Sequence, residues 1–124
     1  MEIKLRGGLP YISARIVYHG QTIELDDVLL DTGSAGTIFA TDKLAAIGLC
    51  LELHDTIHRI RGVGGSEFAF TKHVDQLSIG NFQVQNFEVE VGAMAYGLPL
   101  DGIVGMDFLL QVGACIDLRR LEIA

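Results

Sequence analysis

Apolar and polar positions alternate in short stretches along most of the chain, and glycines punctuate them. Residues 82–91, Phe-Gln-Val-Gln-Asn-Phe-Glu-Val-Glu-Val, alternate with one slip at Asn86-Phe87. That predicts a half-buried strand carrying a bulge. Residues 9–18 and 22–30 flank His19-Gly20-Gln21 and read as a hairpin, and residues 56–61 and 66–72 flank a glycine cluster and read as a second one. Two stretches read as helices. Thr41–Gly48 offers Thr41 as N-cap, an acid in its first turn and Gly48 as the C′ residue; Met106–Gly113 also ends on glycine. No linker or break in composition divides the chain, so one domain over residues 1–124 is expected.

A weak internal echo joins two regions. Residues 28–39 run from an apolar strand through a glycine turn towards a short helix. Residues 100–111 do the same around Gly102-Ile103-Val104-Gly105.

Composition narrows the picture. The chain has 124 residues, 15 glycines and only 2 prolines, and 49% of it is apolar. Mean hydropathy is +0.37, high enough that surplus apolar surface is expected in a subunit interface or a cleft. The net charge is −7, with only nine Lys and Arg. That gives no electrostatic footprint for nucleic acid or an anionic membrane surface. The longest run free of strongly polar residues, Val91 to Leu100, is too short to span a bilayer as a helix and is broken by Gly92, Gly97 and Pro99. Met1-Glu2-Ile3-Lys4-Leu5-Arg6 has no apolar core of a signal peptide. Cys50 and Cys115 are expected as buried thiols rather than a disulfide. A cytoplasmic location fits these features.

The strongest chemical signal is Val28-Leu29-Leu30-Asp31-Thr32-Gly33-Ser34-Ala35. An apolar strand delivers a carboxylate onto a tight turn. Gly33 lets the backbone approach closely and take strained angles. The hydroxyls and amides of Thr32 and Ser34 are candidate donors to the carboxylate, and a like charge beside a carboxylate so held would split two pKa values apart. Taken alone, Asp-Thr-Gly is also an ordinary turn tripeptide. Two further features change that weighting. Ile60-Arg61-Gly62-Val63-Gly64-Gly65-Ser66-Glu67-Phe68 is a glycine-rich hairpin able to close over an extended peptide and bond its main chain. Leu100-Asp101-Gly102-Ile103-Val104-Gly105-Met106-Asp107-Phe108-Leu109 is an apolar strand that ends on glycine and turns directly into a helix.

In this order, the three features resemble the retropepsin-like aspartic proteases, the single-domain relatives of pepsin. Asp31-Thr32-Gly33-Ser34-Ala35 matches the catalytic motif, Ile60 to Phe70 the flap, Ile103-Val104-Gly105 the apolar-apolar-glycine motif, and Asp107 the acid or amide that begins the C-terminal helix. The resemblance runs from about Leu9 to Leu118. It implies a closed β-barrel with one or two short helices, in which two chains each donate one aspartate. On it, Asp31 is catalytic, Thr32, Gly33, Ser34 and Ala35 support it, Arg61, Gly62, Val63, Gly64 and Gly65 meet the substrate, and Ile103, Val104, Gly105 and Asp107 are structural.

Counting supports that implication. An aspartic protease needs two carboxylates around one water, and the chain contains one Asp-Thr-Gly. Asp101-Gly102 lacks the intervening hydroxyl residue, so Asp101 is no equivalent partner. A two-fold homodimer supplies the second Asp31. The expected activity is peptide hydrolysis by general acid–base chemistry, with no cofactor and no metal. The expected partners are a second copy of the chain and a peptide or protein substrate. A catalytically silent or very weak peptide-binding dimer on the same fold is the alternative.

Other motifs carry less. His54 and His58 are four apart but lack the intervening glutamate of a metalloprotease helix and read as exposed strand histidines. Gly33-Ser34-Ala35-Gly36 lacks the glycine that a nucleophile elbow needs at position 32. Gly62-Val63-Gly64-Gly65 has the wrong spacing for a dinucleotide fingerprint, and His19 and His73 read as surface residues.

Overall fold

The computed structural model describes residues 1–62, 65–94 and 97–124. The chain is mostly β, as its alternation predicts. Its elements in order are β1 (Lys4–Arg6), β2 (Leu9–Tyr18), β3 (Gln21–Leu30), β4 (Ile38–Ala40), α1 (Thr41–Ala45), β5 (Ile57–Gly62), β6 (Gly65–Ile79), β7 (Phe82–Gly92), β8 (Gly102–Val104), α2 (Met106–Val112), β9 (Ile116–Asp117) and β10 (Glu122–Ile123).

The first hairpin turns on two residues, not three. Tyr18 pairs directly with Gln21, leaving His19 and Gly20 at φ 47° and 80°. Two successive positive φ values make the turn whose twist matches the flanking strands. A bulge does occur in this pair, at Asp26-Asp27, where two residues of β3 oppose Ser13 alone. It moves the buried face of β3 from Leu25 to Val28 and Leu30.

The slip at Asn86-Phe87 is real, but its cause differs from the expected bulge. β6 and β7 keep one register throughout, from Ala69↔Gly92 to Ile79↔Phe82, and only the pair Asp75/Asn86 drops out. Asn86 takes φ 51°, and β6 slips at the same level, with Val74 and Leu77 both buried. Both strands change face together, so neither gains a residue on the other.

The sheet order is β1-β2-β3-β8-β4-β7-β6-β5, and β6 also pairs with β2. β8 lies parallel to β3 on one side and antiparallel to β4 on the other. The echo between residues 28–39 and 100–111 therefore has a spatial meaning, because its two apolar strands lie side by side. One core cluster contains Ile16, Leu25, Val28, Phe39, Val104 and Phe108. Each fully buried side chain of this kind contributes about 2–3 kcal/mol. The Phe87 and Phe108 rings meet edge to face with centroids 5.6 Å apart. A second cluster holds Tyr11, Ile38, Ala69, Met94 and Leu100, with Leu29 and Ile103 against it.

Thr41 is the first helical residue of α1 rather than its cap. Ala40 holds the cap position, with no side-chain cap bond, because Ala40 is the last buried residue of β4. The glycine stops behave as expected. Gly48 at φ 78° and Gly113 at φ 63° each close their helix with a pair of backbone bonds, Leu49 N–H to Leu44 O and Gly48 N–H to Ala45 O, and Ala114 N–H to Leu109 O and Gly113 N–H to Leu110 O. Both cysteines are free and exposed rather than buried. Cys50 falls in the loop after α1, and Cys115 pairs by its backbone with Ala124, which leaves neither thiol inside a core.

The loop before β5 is fastened from the sheet. Lys72 on β6 is buried and its ammonium lies 2.5 Å from Glu52 Oε1 and 2.8 Å from Asp55 Oδ2. Burial works against this charge, but the bonds to Asp55 and Glu52 outweigh it and hold the Lys72 pKa above the ordinary lysine value. The Lys72 bond holds the Asp55 carboxyl below its ordinary value against the opposing effect of burial, helped by the Glu52 backbone N–H.

Candidate active site

β3 ends at Leu30 and hands Asp31 to a loop that runs to Gly36. The loop is pinned at its start by Asp31 N–H donating to Val104 O, 3.0 Å, on β8. Asp31 is half-buried, while Thr32, Gly33 and Ala35 are exposed. Among the described residues the carboxylate is held by one donor, Gly33 N–H to Asp31 Oδ1 at 2.9 Å. The expected hydroxyl donors act elsewhere. Ser34 Oγ donates to Gly36 O at 2.8 Å, and among the described residues the Thr32 hydroxyl has no partner. Gly33 contributes close approach rather than an unusual φ, since a β-carbon there would stand 3.2 Å from Asp31 Oδ1.

The rest of the loop rests on the start of α2. Met106 N–H donates to Ser34 O at 2.8 Å and Asp107 N–H to Ala35 O at 3.2 Å. First-turn amides have no partner inside their own helix, and here the loop's carbonyls take them. Gly105 makes the approach possible. A β-carbon on it would lie 2.2 Å from Gly36 O and 2.6 Å from Ser34 O. Ile103 and Val104 continue β8 beside Leu29 and Leu30, so the apolar-apolar-glycine motif is the wall and floor of the loop.

Asp107 is joined to the loop's far end through a residue that the sequence analysis passed over. Thr37, 1% exposed, donates to Asp107 Oδ1 at 2.6 Å and accepts from Gly105 N–H at 3.1 Å. Its carbonyl accepts from Glu90 N–H at 2.9 Å. The available signal was a hydroxyl residue directly before the apolar run Ile38-Phe39-Ala40, because such a hydroxyl is buried and needs partners.

Asp31 to Gly36 on one side and Gly102 to Asp107 on the other thus form one unit across β3, β8 and β4. The chain belongs to the aspartyl proteases of retropepsin-like type. A family model described as aspartyl protease matches residues 12–108, which spans both halves of this unit and the hairpin between them. A search of curated proteins finds no match.

In this member of the family the residues expected to form the flap are placed in part. Arg61 pairs with Ser66, and Gly62 with Gly65, which closes the β5–β6 hairpin. Val63 and Gly64, expected at its tip, lie outside the described residues. β6 runs well past the expected end of the hairpin, to Ile79. Asp101 is used structurally, accepting from Asp27 N–H at 3.1 Å with the Lys43 ammonium 3.7 Å away. His54 is exposed in the loop before β5 rather than on a strand, whereas His58 bonds Glu90 Oε1 at 2.8 Å. Among the described residues no group of three or more His, Cys, Asp or Glu is assembled as metal ligands. No helix among them is long and apolar enough to cross a membrane.

Proposed function

We propose that this chain is an aspartic endopeptidase that acts as a two-fold homodimer, each copy contributing one Asp31. The observation that carries the reading is the state of the carboxylates. Asp31 stands on an exposed loop whose shape is fixed by Gly33 N–H, Val104 O and the first amides of α2. Asp101 and Asp107 are both committed to internal hydrogen bonds. One copy therefore offers one reactive carboxylate, and the chemistry needs two. The unpartnered Thr32 hydroxyl beside it suits a contact across the dimer axis. On this reading residues 1–124 act as one cytoplasmic domain and the sheet forms a barrel, a reading that the β2–β6 pairing supports.

One Asp31 carboxylate takes a proton from the shared water as the water attacks the scissile carbonyl carbon. The other, protonated, donates to the carbonyl oxygen, giving a diol. The diol collapses as a proton passes to the leaving amine. The chain's contribution is a carboxylate whose orientation is set before substrate arrives. Thr32, Gly33, Ser34 and Ala35 shape the loop, and Arg61 to Gly65 close over the peptide. No metal or cofactor takes part.

Asp31→Asn keeps the shape of the side chain and removes its proton chemistry. Cleavage of a peptide library should vanish, while thermal unfolding stays within about 2 °C of wild type. Full cleavage by the variant would refute the assignment. Tight binding of a statine-type peptide by wild type separates a working dyad from a silent peptide-binding dimer.

A further inference from the structure

β5 is the last strand of the eight-stranded sheet, so among the described residues one of its edges meets no other strand. Its register tells which groups face that edge. Thr71 N–H donates to Thr56 O, and the pairs that follow are Ile57↔Phe70, His58↔Ala69 and Arg59↔Phe68. Hydrogen-bonded and open pairs alternate in an antiparallel ladder, so the N–H and C=O groups of Ile57 and Arg59 point away from β6. The opposite end of the sheet is guarded: β1 has three residues, starts on Lys4, and ends on Arg6, which bridges Asp27 at 2.5 Å. β5 spans six residues without proline, lysine or a bulge, three of the devices that keep an edge from pairing, and its charged residues are Arg59 and Arg61.

The surroundings of this edge are equally exposed. Ile57 is 57% exposed and Phe68 64%. The Arg59 guanidinium sits 5.4 Å from the Phe68 ring centroid and meets no carboxylate among the described residues. Leu51, Leu53 and Ile57, together with Glu52, His54 and Asp55, line an open concavity of about 650 Å³ at the foot of the strand. The loop that carries these leucines is held by the buried Lys72 through Glu52 and Asp55. A buried charge is costly to maintain, and here it fixes a loop that presents apolar side chains to water.

We propose that the open edge of β5 takes an extended segment of the substrate, flanking the part that lies at Asp31, with a carboxylate side chain facing Arg59 and an apolar side chain in the Leu51–Leu53–Ile57 concavity. Main-chain bonds to Ile57 and Arg59 would add the segment as a further strand. Alternate residues of a strand share a face, so the two side chains stand two positions apart, about 7 Å. A substrate fits better than a second copy, because β5 runs on from Arg59 to the Gly62–Gly65 closure of the hairpin. One extended chain can follow both. The inference rests on the peptidase reading.

The test is digestion of a proteome-derived peptide library, with mass-spectrometric mapping of the cleaved peptides. Wild type should favour Asp or Glu at one fixed distance from the cut, with an apolar residue two positions further out. Arg59→Glu should reverse the charge preference to Lys or Arg. For one selected peptide, replacing the acidic residue by lysine should raise KM about tenfold, with kcat within about twofold, and Arg59→Glu should restore it. Cleavage with no such positional preference, or with one unchanged in Arg59→Glu, overturns this inference and leaves the peptidase reading intact. Arg59→Glu altering sedimentation of the dimer but not the preference assigns the edge to contacts between copies, and also overturns it. No cleavage by wild type removes the peptidase reading, and this inference with it.

Discussion

Two loops of this molecule are held in place by opposite means. The Asp31–Gly36 loop is fixed by backbone amides of Gly33, Met106 and Asp107 and by the bare α-carbon of Gly105. The Leu51–Asp55 loop is fixed chiefly by one buried ammonium, Lys72. The first device is short-range and steric. It tolerates changes of pH and salt but not a methyl group. The second is electrostatic. It tolerates changes of volume around it but depends on the charge of three groups. On the proposed reading, the loop that must present a carboxylate in one orientation uses the first kind, and a loop that only has to stay near its sheet uses the second.

The sharpest way to break the first device is Gly105→Ala. Its β-carbon would meet two backbone oxygens, neither free to swing away. We expect a loss of about 3 kcal/mol or more, seen in calorimetry as a fall in Tm of roughly 10 °C. Gly36→Ala, where a β-carbon meets nothing within 4 Å, should change Tm by no more than about 2 °C. Equal effects would mean that the contact at Gly105 is not what shapes the loop.

Lys72→Met attacks the second device. With Lys72 in place Glu52 is 64% exposed and Asp55 14%, so Glu52 can hydrate once the ammonium is gone and Asp55 carries most of the loss. The cost should therefore fall to about 2 kcal/mol, below that of a fully enclosed pair. Hydrogen exchange should quicken over residues 50–56 and stay unchanged over 31–37. Faster exchange in both loops would show that they are not held independently.

Thr37→Val removes a buried hydroxyl between Asp107 and Gly105 N–H. The expected loss is about 1.5 kcal/mol in urea unfolding, with Thr37→Ser recovering most of it. A serine no better than valine would assign the effect to methyl packing.

The smallest effect separates the two devices by pH. Asp55 is held below its ordinary value, so its contribution is complete above the unfolded carboxyl pKa of about 3.9 and is lost as pH falls through the lower folded value. Lys72 is held above its ordinary value, so its contribution is complete below about 10.4 and is lost only as pH rises through the higher folded value. The Tm difference between wild type and Asp55→Asn should be flat across neutral pH and shrink below about pH 4. A difference that does not change with acid would detach Asp55 from the clamp.

What the sequence made legible divides along the same line. Asp31-Thr32-Gly33, the turn at Gly105 and the glycine stops at Gly48 and Gly113 are local, since each is decided by neighbours a few residues away. The Thr37–Asp107 bond joins residues 70 apart, and nothing near either one announces the other. Lys72 reads as one polar position at the end of the predicted strand 66–72, although it is buried and bonded to two carboxylates. Cys50 and Cys115 were expected inside on the average habit of thiols, but the loop after α1 and the edge at Ala124 offer them no interior. The slip at Asn86 was visible in β7 alone. Its paired character needed β6, because a matching slip in the partner restores the register that a bulge would shift.

The position of β8 between β3 and β4 sets the order in which this protein can be made. β3 and β4 are only a loop apart in the chain, yet they do not touch through backbone bonds. The gap between them is filled by Gly102–Val104, which leaves the ribosome long after they do. Until that segment arrives, Asp31 N–H lacks its acceptor Val104 O, and the loop carbonyls lack the amides of α2. Pairings so distant in sequence are slow to form, because loop closure must precede any reward. A nascent or truncated chain ending before residue 102 would carry the aspartate without the geometry that orients it. The anchors of the Asp31–Gly36 loop therefore come from residues made last, and a chain cut before residue 102 holds Asp31 without the bonds to Val104, Met106 and Asp107.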